Sequence, residues 1–402
     1  MPILFAAPHR PFFFFGAAQL VVALLFWLTV LLGWHSVAMP ALSVFGIAAH
    51  VFLMLYGLFT FFVFGFLSTV FPRWLATDPI PPRRYGPIAC AMAAGIACFY
   101  AGIFTSSDIA VAGAVVFVAG WAGGLVTLLQ VWRRSTRADK RFALFPFGCV
   151  SGGFAGACVY IAWLITQQPL LLDVATAAGL WLYLVPLIVA VSYRMIPFFS
   201  SNVLSGYTIV KPGWTLPATL ACVVGHFGLT VSGNANWTVV PDLPLAVLAG
   251  WHAWRWGIVR ALRVPLLGML HLSFAWLAIA MGLYSADSVL RLLGSPAGLG
   301  FAPLHALGIG FVTGMVVAMA SRVSLGHSGR PLVADGITLW TFAVVQVTAV
   351  VRVLAGVPPF QFTVASIWLL IAAAAIWLVA FIPWSLHFGR IYSRPRIDGR
   401  PG

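Results

Sequence analysis

The sequence predicts an all-α integral membrane protein: a polytopic bundle of about twelve transmembrane helices with both termini in the cytoplasm. Three observations carry this. First, 62% of the 402 residues are apolar and only 7% charged, with a mean hydropathy of +1.02, whereas a soluble domain carries about 25% charged residues. Second, the apolar residues fall into twelve runs, each near the roughly 20 residues that a helix needs to cross a hydrocarbon core of about 30 Å. Third, the charges between runs alternate. Twenty of the 22 basic residues fall in one set of segments, and only Arg291 and Arg352 fall in the other. By the positive-inside rule that bias puts both ends in the cytoplasm, and a wrong helix count would scramble it.

The first run, Pro11 to Leu32, is long enough to span and too long for the core of a signal peptide. The second begins near Ala41. Asp78-Pro79-Ile80-Pro81-Pro82 breaks the chain before the third, near Pro87. The fourth and fifth begin near Ile109 and Ala143, separated by a basic loop from Arg133 to Arg141. Gln167-Gln168-Pro169 precedes the sixth, near Val174, in which Pro186 predicts a kink that a neighbouring helix can accommodate. The seventh begins near Pro212, and Ser232-Gly233-Asn234 leads to the eighth, near Asp242. The ninth starts near Pro265, the tenth near Gly300 after Ser295-Pro296, the eleventh near Gly336 and the twelfth near Phe362 after Pro358-Pro359. Residues 1–402 read as a single membrane domain. Six-helix halves, 1–211 and 212–402, are suggested only by the similar depths of His50 and His252. Gly148, Gly152 and Gly156, spaced by four, predict close helix packing in the fifth span.

This composition excludes an independent water-soluble catalytic domain, since no stretch outside the apolar runs can bury a core. The net charge of +14 belongs to topology and to an anionic leaflet, with no nucleic-acid partner. The five cysteines, Cys90, Cys98, Cys149, Cys158 and Cys222, are odd in number and form no C-x-x-C pair. They read as free thiols, outside any disulfide framework, iron–sulfur cluster or covalent haem attachment.

The eight acids are all aspartates and fall in loops or at span ends, so no carboxylate is expected deep in the bilayer. Histidine differs. His50, His226, His252, His271 and His305 fall well inside spans, where an imidazole is costly unless it is hydrogen-bonded or ligates a metal. For each one a plain helix–helix hydrogen bond stands beside a metal or haem ligand. Five together favour the ligand reading, with donors collected from separate helices. His9, His35 and His387 read as interfacial residues. Arg291 and Arg352 stand either as partners of haem propionates or as ordinary loop arginines. The run from Trp251 to Trp256 suits either the wall of a porphyrin site or an interface anchor.

Several segments then go beyond composition. His305-Ala306-Leu307-Gly308-Ile309-Gly310 opens the tenth span. Gly314-Met315 follows, and Met319-Ala320-Ser321-Arg322-Val323-Ser324-Leu325-Gly326-His327-Ser328-Gly329-Arg330-Pro331-Leu332 closes it. Together with Arg194-Met195-Ile196-Pro197-Phe198-Phe199-Ser200, the stretch from Pro265 through His271 to Trp276, and His9-Arg10-Pro11-Phe12-Phe13, they resemble the NnrS family. Its members are haem- and copper-containing proteins of the bacterial inner membrane, linked to nitric-oxide metabolism. The resemblance covers essentially the whole chain. It implies haem b, a small gas ligand such as nitric oxide, an electron donor, and His50, His271 and His305 as the best metal ligands. Arg322 and the loop after it would meet a propionate, a partner or a lipid headgroup. One segment departs: where the family reads H-x-H-E-M-L-(F/Y)-G, this chain has His50-Val51-Phe52-Leu53-Met54-Leu55-Tyr56-Gly57. That puts copper in doubt. The rival class is a secondary transporter for a metal, haem or a small anion.

Overall fold

The computed structural model describes residues 3–34, 40–295, 297–358 and 363–399. His35, Pro296, Pro359 and Phe362, used above, lie outside the described residues. Among those described there is no strand, and twelve longer helices follow one another. They are α1 (His9–Trp34), α2 (Gly46–Leu75), α3 (Pro82–Thr105), α4 (Ser107–Arg134), α5 (Arg141–Thr166), α6 (Pro169–Val203), α7 (Thr215–Val231), α8 (Val239–Arg255), α9 (Pro265–Leu292), α10 (Ala302–His327), α11 (Gly336–Leu354) and α12 (Val364–Tyr392). Ten are long and apolar enough to cross a membrane. The other two, α7 and α8, have 17 residues each.

The chain runs up and down. Arg10 at the start of α1 donates to the carbonyls of Tyr392, the last residue of α12, and of Arg394 just past it, so both ends of the bundle share one face, called here the terminal face. The last residues of α1, α3, α5, α7, α9 and α11 lie at the opposite face. One continuous apolar core reaches from α1 to α12 and is centred on α2, α6 and α10. The exposed apolar residues, such as Val126, Ile165, Val247, Val347 and Val379, fit an outer surface that faces lipid.

Helix starts and stops follow local chemistry. Pro82, Pro169 and Pro265 open α3, α6 and α9, where a missing N–H costs nothing. Ser106, Asp335 and Thr363 cap α4, α11 and α12 through their side-chain oxygens. Three helices contain a π-helical segment: Leu53–Leu58 in α2, Ala178–Leu184 in α6 and Ala306–Thr313 in α10. At Pro186, where a kink is expected, the helix instead carries a π segment just before the proline. The α6 segment ends two residues before that proline, whose ring cannot donate to the carbonyl of Leu182.

Close helix packing is only partly where the glycine spacing placed it. Gly152 and Gly156 in α5 abut Leu182 and Tyr56, but Gly148 has nothing within 4 Å of where a Cβ would stand. The tightest approach is instead between α3 and α4, where Gly102 and Gly113 leave room for the facing backbones of Ala110 and Phe99.

Candidate functional site

The five histidines expected inside spans separate into one cluster and three individual pairs. The cluster lies toward the face opposite the termini. His50 sits in the second turn of α2, and its imidazole stacks on Trp27 of α1 with ring centres 4.0 Å apart and planes 21° apart. Its Nδ1 is buried without a hydrogen-bond partner. His305, at the end of the first turn of α10, donates from Nδ1 to the carbonyl of Phe301 at 2.8 Å. That bond fixes the tautomer and leaves Nε2 as the lone-pair nitrogen, the arrangement that second-shell carbonyls impose on ligating histidines.

Arg352, in the last turn of α11, is within electrostatic reach of both imidazoles, and His305 is within reach of His50. Among the described residues no carboxylate or other hydrogen-bond partner is seen for the Arg352 guanidinium. A half-buried cation without a counter-ion is a costly arrangement, relieved by an anionic group. Both histidines border a π segment, His305 immediately and His50 three residues before, and such segments recur at functional sites.

Each of the other three histidines has one ring nitrogen engaged, while Nδ1 of His252 and of His271 is, like that of His50, buried without a partner. His226 in α7 donates from Nδ1 to Oδ1 of Asp242 in α8 at 2.6 Å, with both residues buried, and its ring stacks on Trp181 at 3.7 Å. Asp242 falls in the first turn of its helix, as the sequence indicated, yet it is fully buried, and its Oδ2 has no partner. The α7/α8 hairpin explains this: His226 lies five residues before the end of α7 and Asp242 three after the start of α8, so the turn brings them to one depth.

His252 hydrogen-bonds to the hydroxyl of Tyr193, which also meets Thr215, and stacks almost parallel on Trp256. His271 meets the hydroxyl of Ser200 at 3.0 Å. Both lie in the half nearer the terminal face, so His271 is not brought to His50 and His305. Among the described residues no three His, Cys, Asp or Glu side chains converge as a metal site.

Arg291 pairs with Asp287 at 2.8 Å, one helical turn away, and the same carboxylate accepts from the backbone N–H of Leu299. This describes a brace for the α9/α10 turn. Arg322 lies over the ring of Phe199 at 4.0 Å near the terminal face, and His387 meets Asp335 at 3.0 Å. The tryptophan run divides: Trp256 is buried and donates to the carbonyl of Val210, whereas Trp254 is exposed. Sequence reasoning did not anticipate one pair, His9 and His327, whose rings lie 4.7 Å apart at the terminal face. They come from opposite ends of the chain, and only the docking of α1 beside α10 joins them.

The departure in α2 is resolved in packing terms. Phe52 and Leu53 are fully buried. Phe52 packs against Phe99 and Tyr160 with ring centres 4.6 and 4.7 Å away, so an aromatic cluster occupies the position of the family's second histidine. Between α1, α2, α6 and α10 lies a narrow apolar cleft, walled by Phe13, Phe62, Leu187, Met315 and Met319 among others.

The fold and these side chains define a polytopic helical membrane protein with a histidine–arginine cluster near one face. The chain belongs to the NnrS family, whose profile matches residues 3–396. That membership associates it with the nitric-oxide response at a membrane. A comparison with curated proteins found no match.

Proposed function

We propose that this protein is a haem-binding member of its family, acting in the nitric-oxide response from a bacterial inner membrane that it crosses twelve times with both termini in the cytoplasm. The observation that carries the haem reading is the cluster itself. A histidine with Nδ1 tied to a carbonyl and Nε2 left over, a second imidazole with a free buried nitrogen, and a guanidinium without a carboxylate stand together. These residues fit the group. His305 Nε2 would hold the iron, with His50 as the alternative or additional ligand, and Arg352 would neutralise a propionate. Bound haem would supply an iron able to bind a small diatomic gas. The Phe301 carbonyl orients His305, and Trp27 shields one face of His50 from lipid and water. The apolar cleft between α1, α2, α6 and α10 suits passage of an uncharged gas. Copper is less well supported, because Phe52 and Leu53 fill a position where the family carries ligand-type side chains.

The test is a reduced-minus-oxidised absorption spectrum of the detergent-purified protein, with haem quantified in His305→Ala, His50→Ala and Arg352→Gln. We expect near one haem per chain in the wild type, loss in at least one histidine variant, and weakened retention in Arg352→Gln. Full haem content in both histidine variants overturns the assignment. A colourless protein from haem-replete cells, with substrate-dependent uptake into vesicles, would favour a transporter.

A further inference from the structure

A second cleft, of about 720 Å³ and partly open, lies at the terminal face, away from the histidine cluster. Its walls are the loop from Ala76 to Pro81, the first turn of α3 and the last two turns of α4. Unlike the central cleft it is lined by polar groups. Arg84 and Arg134 both line it, and neither forms an ion pair or side-chain hydrogen bond among the described residues. Two polar atoms in its walls, Thr77 Oγ1 and Gln130 Oε1, are shielded from solvent without a partner. Native structures rarely leave such atoms unsatisfied without a water or ligand to meet them.

The charge balance selects the ligand. Two guanidinium groups face one carboxylate, that of Asp78. The first turn of α3 adds to the positive side: its N-cap is Pro81, no side chain caps it, and no acid lies in that turn. Arginines at a helix N-terminus are unfavourable on their own and become favourable when an anion sits between them and the backbone N–H groups. Gln130 Oε1, an acceptor, and the Thr77 hydroxyl then ask for a ligand that also carries hydroxyl hydrogens. The loop wall is set rigidly, since Ala76 adopts a left-handed conformation (φ 52°) and Thr77 donates its N–H back to Pro72.

We propose that this cleft binds a phosphate-bearing anion with hydroxyl groups, held by Arg84 and Arg134 and hydrogen-bonded by Gln130 and Thr77. The same chemistry is offered by a soluble polyol phosphate and by the headgroup of a glycerophospholipid at the membrane surface. Two arms separate them, both on the full-length protein. In detergent, glycerol 3-phosphate is titrated by calorimetry. In nanodiscs of phosphatidylcholine with or without phosphatidylglycerol, retained lipid is counted by native mass spectrometry.

We expect saturable binding in one arm, weakened roughly tenfold or more by Arg84→Gln and by Arg134→Gln, and weakened less by Gln130→Leu. Arg133→Gln, an exposed neighbour outside the cleft, should bind as the wild type does. Binding of glycerol 3-phosphate names a soluble ligand, and selective retention of phosphatidylglycerol names the lipid. No saturable binding in either arm, or equal losses in Arg133→Gln, overturns the proposal. Because neither arginine makes an intramolecular bond, both variants should melt with the wild type. If one does not, Gln130→Leu decides.

Discussion

At the scale of single residues, several buried polar groups are held in pairs, and the pairs make unequal demands. Replacing His226 by Ala strands a fully buried Asp242 carboxylate, with an expected loss of about 3–5 kcal/mol. Asp242→Asn leaves a neutral partner and should cost only about 1–3 kcal/mol. Unfolding in mixed micelles separates the two, and equal losses would mean that the pair is not charged when folded. Asp335, outside the spans, gives a pH dependence with a definite sign. Burial pushes its carboxyl up, but the hydroxyl and N–H of Thr338 and the nearby His387 outweigh it and hold the group below its ordinary value of 3.8. A depressed value means that the cap contributes its full stability above pH 3.8 and loses it as pH falls through the lower folded value. Hydrogen exchange at the start of α11 should therefore accelerate only in strong acid, and Asp335→Asn, still a good cap, should remove that dependence.

At the scale of elements, glycine matters by what faces it. A Cβ on Gly102 would collide with the backbone of Ala110, while Gly148, in the motif that draws the eye in the sequence, faces open space. Gly102→Ala is expected to cost about 1–3 kcal/mol, and Gly148→Ala to be neutral or to gain up to about 1 kcal/mol from helix propensity. Thermal unfolding of the two variants side by side checks the contrast. A destabilised Gly148→Ala would show that α5 meets a partner beyond this chain. The π segment of α10 holds a similar contact, Gly310 against the face of Trp276, whose indole N–H donates to Gln346 at 2.7 Å. Substitution there would disturb α9, α10 and α11 together.

At the scale of the whole molecule, the alternation of basic loops makes topology testable. Reporters that need the cytoplasm should work when fused after α12 or in the α8/α9 segment, and those that need the outer side should work in the α9/α10 turn. The reverse pattern would invert the bundle. Most of this architecture was legible in the sequence, because lipid imposes a coarse rule, about twenty apolar residues per pass, and because arginines mark one side. The site was legible only in part. Side-chain cost in hydrocarbon singled out five histidines, and charge placement singled out Arg291 and Arg352, but neither said which of them would meet, since helix neighbourhood is set by packing. Asp242 escaped because position in sequence gives depth along a helix and says nothing about whether a residue turns inward. The His9–His327 pair and the Arg84–Arg134 cleft escaped because each joins segments that are far apart in sequence or read as loops. Phe52 shows the converse: a single change from the family pattern became intelligible once its ring was seen filling an aromatic stack.

The π-helical stretch that follows His305 also acts as an angular setting. An α-helix advances about 100° per residue, so excising one residue from Ala306–Thr313 would let regular winding resume and swing everything on its far side by about that angle. His305 would then turn away from His50 and Arg352, with its sequence, its Phe301 acceptor and its depth all unchanged. The azimuth of the imidazole is thus encoded by the length of a segment that contributes no chemistry of its own.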